Sequence, residues 1–219
     1  MPYRRVSIVA VSLLLACHSG CSSQGGASVL VVEGTRPVVL LETGMDALGY
    51  QGPYLACLPD TRPIAGEYQF NNLAGLLSEC LGMEHPIVEK KKNIWLVYAD
   101  TGNKAGFVYE LTMPYQVYLT ACPGGGVEAS TFLQDVMTQT NLALLTNGIV
   151  DVEDGKSTGL FFWRVEGPID LPTALSFFGK ARGIPMRVTT SFEVLVGPAV
   201  PSLLAPREGE SGDERAKSE

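Results

Sequence analysis

The strongest constraint on the fold is a pattern that occurs twice. Asn72 precedes Leu73, Leu76, Leu77, Cys80 and Leu81, and 98 residues later Asp170 precedes Leu171, Ala174, Leu175, Phe178 and Gly179. The i, i+3, i+4, i+7, i+8 spacing describes one buried helix face with a capping side chain in front of it. Pro172 falls in the first turn of the second helix, where a missing N–H costs nothing, and marks that start independently. Each helix runs into a break, near Gly82 or Gly183, followed by a short strand, a polar turn and an apolar strand. In the first copy these are Ile87-Val88, 89–93 and 94–98; in the second they are 186–188, 189–191 and 192–196. The register holds throughout, with Ile94 corresponding to Phe192 and Leu96 to Val194.

Only the second copy shows a unit ahead of its helix. Ser130 or Thr131 can cap a helix with Phe132 or Leu133, Val136, Met137 and Thr140 on its buried face. Strands at 142–145, 149–152 and 160–165 follow, separated by Asn147-Gly148 and Asp154-Gly155 turns. Short β-rich runs between amphipathic helices imply an α+β fold, with two small related modules of helices packed on short mixed sheets.

The ends of the chain have a different character. Arg4 and Arg5 precede an apolar run, Val6 to Ala16, which has the layout of a secretory signal and is too short to span a bilayer. Leu14-Leu15-Ala16-Cys17 resembles the lipobox of bacterial lipoproteins, in which the cysteine is acylated and becomes the first mature residue. Ser19-Gly20-Cys21 offers an alternative acylation point, and an ordinary signal cleaved near Ala16 or Gly20 is a third reading. The expected layout is a signal peptide at 1–16 and a Ser/Gly-rich tether at 17–28. A β-rich module with one helix-hairpin unit at 29–122, a second module at 127–199 and a disordered acidic tail at 200–219 complete it. The formal net charge of −7 disfavours nucleic acid and anionic surfaces as partners.

Five cysteines suit an oxidising compartment. Cys57 and Cys122 end two similar apolar runs, so a disulfide between them is possible, worth about 4 kcal/mol in the chain-entropy view. Cys80, on a helix face, reads as a buried thiol.

The run 131–145, a strand ending near Gly167, then Ile169-Asp170-Leu171-Pro172-Thr173-Ala174-Leu175, Gly183 and the strand 192–197 resemble the secretin and TonB short N-terminal domain. The likeness covers about a third of the chain, and residues 64–98 look like the second half of another such module. It implies a βαββαβ interaction module on the periplasmic side, without catalysis, docking to other envelope proteins such as a secretin-type assembly. The residue after Cys17 is not aspartate, and by resemblance to Gram-negative lipoprotein sorting this points to the outer membrane.

No residue set for catalysis, metal or cofactor binding is expected. His18 lies beside the lipobox, and His85 has no evident partner. Gly124-Gly125-Gly126 lacks the Lys-Ser/Thr of a phosphate loop and reads as a hinge between modules. Asp151-Val152-Glu153-Asp154-Gly155 misses calcium-loop spacing and reads as a turn. Lys90, Lys91 and Lys92 read as a solvated hairpin tip, while Trp95, Phe161, Phe162 and Trp163 read as core. The alternative function is a ligand-binding lipoprotein serving a transporter or sensor, which requires a deep apolar pocket within 29–122.

Overall fold

A computed structural model describes residues 26–102, 106–113, 115–138, 140–146 and 159–197. The signal segment, Cys17, Cys21, the 149–152 strand, the Asn147-Gly148 and Asp154-Gly155 turns, the acidic cluster from Asp151 to Gly155 and the tail from 198 onward lie outside them.

The described chain is α+β, with four helices and several small mixed sheets. It opens with β1 (Ala27–Val31), α1 (Pro37–Ala47), β2 (Tyr54–Leu58), β3 (Gly66–Phe70), α2 (Leu73–Leu81), β4 (Pro86–Lys91) and β5 (Ile94–Ala99). It continues through β6 (Phe107–Tyr109), β7 (Gln116–Val117), α3 (Ala129–Met137), β8 (Ala143–Thr146), β9 (Leu160–Arg164) and β10 (Ile169–Asp170). It closes with α4 (Leu171–Arg182), β11 (Met186–Val188) and β12 (Glu193–Val196).

The repeat is longer than the sequence pattern suggested. In the first copy β1 pairs antiparallel with β3, the strand leading into α2; in the second, β7 pairs antiparallel with β10, the strand leading into α4. The hairpin β4–β5 has β2 parallel to its second strand, and β11–β12 has β8 in the same relation. The first copy therefore does have a preceding helix and strand, α1 and β2, contrary to the sequence expectation. In Pro37-Val38-Val39-Leu40-Leu41 the two β-branched valines weaken helix propensity, and Arg36 before it makes no side-chain cap. Tertiary contact supplies what propensity lacks. Gly44 lets α1 approach α2 so closely that a Cβ there would lie 2.6 Å from Leu76 Cδ2.

Local physics accounts well for α2 and α4. Asn72 Oδ1 accepts from Gly75 N–H at 2.7 Å, and Asp170 Oδ1 accepts from Thr173 N–H at 2.9 Å, so both helices are capped at the third position. Both stop at a left-handed glycine, Gly82 and Gly183, each with φ 63°. By contrast α3 begins two residues before Thr131, with Glu128 at its N-cap making no side-chain bond; the expected caps Ser130 and Thr131 lie inside the helix.

The expected division near Pro123 to Gly126 does not separate the two copies. β9, from the second copy, pairs antiparallel with β2 of the first and completes a sheet of order β4-β5-β2-β9. That sheet is covered on both faces. Tyr54, Ala56, Leu58, Val97 and Phe162 face the core made with α1 and α2, while Leu55, Cys57, Leu96, Tyr98, Phe161 and Trp163 face the core made with α3 and α4. Helices α3 and α4 also pack on the second sheet, order β6-β11-β12-β8, through Met186, Val188, Val194 and Val196. Among the described residues no helix is long and apolar enough to cross a membrane.

Candidate interaction surfaces

The seam between the copies is built by α4 lying against the β4–β5 hairpin. At its start, Asp170 accepts from Lys92 Nζ at 2.8 Å as well as from its own helix. Burial works against the Asp170 carboxylate, but the bonds from Lys92 and Thr173 outweigh it and hold the carboxyl below its usual range. Near the helix end, Lys180 Nζ donates to Glu89 Oε1 at 2.7 Å, and Tyr98 Oη donates to the same oxygen at 3.1 Å. Burial opposes charge here too, yet the pair wins: Glu89 is shifted down and Lys180 up. Between these polar ends lies an aromatic seam in which Phe177 meets Tyr98 edge-on at 6.2 Å and Phe132 stacks on Phe161 at 4.8 Å.

A second polar cluster ties α1 to the central sheet. Tyr54 Oη donates to Glu42 Oε1 at 2.9 Å, and the Arg164 guanidinium sits 5.3 Å from the Tyr54 ring centroid. Burial and the neighbouring carboxylate push the Tyr54 phenol well above its ordinary value.

The sequence candidates fall as follows. Cys57 stands opposite Phe161 in the β2·β9 ladder, and Cys122 Sγ lies 3.9 Å from Phe161 O. That oxygen also accepts from Val127 N–H at 3.0 Å, which places 122–127 along the edge of β9 that faces away from β2. β9 thus runs between the two cysteines. Cys57 and Cys122 are not bridged to each other in this structure, where the sequence left that disulfide possible. The two strand ends looked alike in sequence, but a third strand inserts between them. Cys80 is fully buried, and burial with the nearby Glu79 pushes its thiol up to about 11.

The glycine run is a fastened corner and not a hinge. Gly124 O accepts from Arg36 Nη1 at 3.0 Å, Gly126 N–H donates to Pro123 O at 2.8 Å, and Gly126 at φ 77° sits where a Cβ would meet Phe162 Cζ at 2.6 Å. His85 is exposed in the turn before β4, and its carbonyl accepts from Asp100 N–H at 3.0 Å. The lysine cluster divides its work: Lys92 pairs with Asp170, and Lys90 lies 5.3 Å from the Trp95 ring centroid. Among the described residues no group of three His, Cys, Asp or Glu converges as metal ligands would.

Two hollows differ in character. A cleft of about 420 Å³ is lined by Arg36, Pro37, Asp60, Arg62, Leu160 and Phe162, a mixed polar and apolar wall. In the second copy a groove of about 480 Å³ runs between 111–116 and Phe192, lined by Leu111, Met113, Tyr115 and Phe192. Phe192 occupies the left-handed region at φ 61° and is 52 % exposed. Beside it, β8 pairs only with β12 among the described residues and exposes Leu145. Sequence reasoning placed Phe192 on the apolar strand, equivalent to the buried Ile94; the turn Thr189–Phe192, closed by Phe192 N–H to Thr189 O at 3.2 Å, rotates it outward. Compared with protein families, curated proteins and solved structures, the chain shows no match.

Proposed function

We propose that the chain is a lipid-anchored lipoprotein of the cell envelope, acylated at Cys17 or Cys21, whose second copy docks another envelope protein without catalysis. The observation that carries this reading is Phe192. A bulky side chain in the left-handed region costs on the order of 1–2 kcal/mol, and this one leaves its ring half in water at the rim of an apolar groove. Local strain combined with exposed aromatic surface is better explained by a contact than by stability of the isolated chain. Resemblance of 127–199 to the secretin and TonB short N-terminal domain supports a secretin-type assembly as the partner.

The test is photo-crosslinking in living cells from position 192, with position 79 on the exposed side of α2 as control. The expected result is a discrete adduct with an envelope protein from 192, lost when Met113 is changed to serine. Equal, diffuse labelling from both positions overturns the reading.

A further inference from the structure

The sulfur atoms of the described residues differ sharply in access. Met45, Met83, Met137 and Met186 are buried in the two cores, whereas Met113 is 76 % exposed. The thiols compete poorly for an oxidant. Cys57 and Cys80 are buried and Cys122 is half-buried. Burial pushes the thiols of Cys80 and Cys122 up and so keeps them in the protonated form, which is the weak nucleophile. A thioether carries no proton, and its reactivity depends on access alone.

Met113 is also held where it stands. Tyr109 Oη donates to the Met113 carbonyl at 2.9 Å and accepts from Tyr115 N–H at 3.3 Å, so one hydroxyl closes the turn on both sides of the residue. Tyr109 lies in β6 opposite Val188 of β11, and Glu110 N–H donates to Val188 O at 3.0 Å. The turn is thereby tied to the second sheet, and its thioether stands in the wall of the groove shared with Leu111, Tyr115 and Phe192.

We infer that Met113 is the oxidation site of the folded chain, where a peroxide delivers one oxygen to the sulfur and the resulting sulfoxide makes the groove beside Phe192 polar. The step balances with the peroxide as the only co-reactant. The Sδ lone pair attacks one peroxide oxygen, the O–O bond breaks as the S–O bond forms, and the second oxygen leaves as water after the proton shifts to it. Sulfur loses two electrons and the peroxide gains them. A sulfoxide oxygen is a hydrogen-bond acceptor that loses its hydration at a cost when apolar surface covers it. The modified groove therefore releases an apolar partner, a consequence that rests on the docking reading of this groove.

The experiment treats the full chain with limiting hydrogen peroxide and follows each methionine by peptide mass mapping. Sulfoxide at Met113 should form at least about tenfold faster than at Met45, Met83, Met137 or Met186, with the urea transition unchanged by that first oxygen. Similar rates at all five methionines, or oxidation of Cys122 ahead of Met113, overturn the inference. The effect on docking is read from the crosslink at position 192. Met113→Gln, polar like the sulfoxide, should lose the adduct, and Met113→Leu should keep it. An adduct kept by both variants, or lost by both, overturns the polarity switch while the docking reading stands. No adduct from a chain that retains Met113 overturns the docking reading and the switch together, and the mass mapping still decides the oxidation site.

Discussion

Helices α2 and α4 begin with the same cap and end at the same kind of glycine, but they live in different surroundings. In α2, Ser78 and Glu79 face water; their counterparts 98 residues on, Ser176 and Phe177, are buried. The difference comes from the central sheet. For α2 that sheet covers one side only, whereas α4 has the back of the first copy's sheet on one side and its own sheet on the other. A duplicated unit thus keeps its backbone plan while losing its solvent face wherever the sister unit occupies that space. The seam is mixed: aromatic rings fill its middle and ion pairs close its ends.

The largest effect expected from breaking this comparison is at Phe177. Truncation to alanine removes a ring from the seam and should cost about 3–5 kcal/mol in urea unfolding, while Glu79→Ala should stay within roughly 0.5 kcal/mol. Equal effects would show that the two helices share one environment after all. Next comes the corner that fastens the copies. Gly126→Ala must hold a left-handed backbone and push against Phe162, for an expected loss of about 2 kcal/mol. Gly125→Ala, with nothing within 4 Å of the added atom, should be tolerated, so the pair tests whether the run is a corner or a hinge.

A smaller asymmetry is expected at the caps. Asn72→Ala should cost about 1 kcal/mol and Asp170→Ala somewhat more, because Lys92 loses its partner too. A double-mutant cycle of Asp170→Ala with Lys92→Met should report a coupling under about 1 kcal/mol, since the lysine is mostly exposed.

The smallest effect is in pH dependence. Asp170 and Glu89 have folded values below their unfolded ones, so their contribution is present above the ordinary carboxylate range and disappears as pH falls through the folded values. Lys180 is raised, so its share is complete below the ordinary lysine range and disappears as pH rises through the folded value. Thermal melts of Asp170→Asn should therefore show a shallower acid decline than the parent protein. An unchanged slope would remove this carboxylate from the seam's electrostatics.

Much of the second half of each copy was legible. The caps, the left-handed glycines and the buried stripe of α2 are local, and Leu73, Leu76, Leu77, Cys80 and Leu81 are all buried as their spacing requires. Helix α1 was not legible, because its Val-Val-Leu-Leu run has no capping side chain and is helical by virtue of packing on α2. The position of β9 was missed as well, although a signal existed. Tyr54–Leu58 and Leu160–Trp163 are nearly unbroken apolar runs, the mark of strands covered on both faces, and they alternate too little for a sheet with one face in water. Replacement of Glu79 by Phe177 at equivalent positions was a second sign that α4 has no free side. Phe192 was invisible because a strand pattern carries no record of the turn that flips a side chain outward.

By itself the sequence determined what short-range chemistry controls: which segments become helices with strong caps, and where they stop. Tertiary structure alone decided which strands are neighbours, that Cys57 and Cys122 lie on opposite sides of β9, and that Phe192 is exposed. The physical reason is range. Caps and helix stripes are settled within one or two turns of chain, whereas strand order is settled by contacts between residues about a hundred positions apart, where many pairings satisfy the same local pattern and only the packing of both faces selects one.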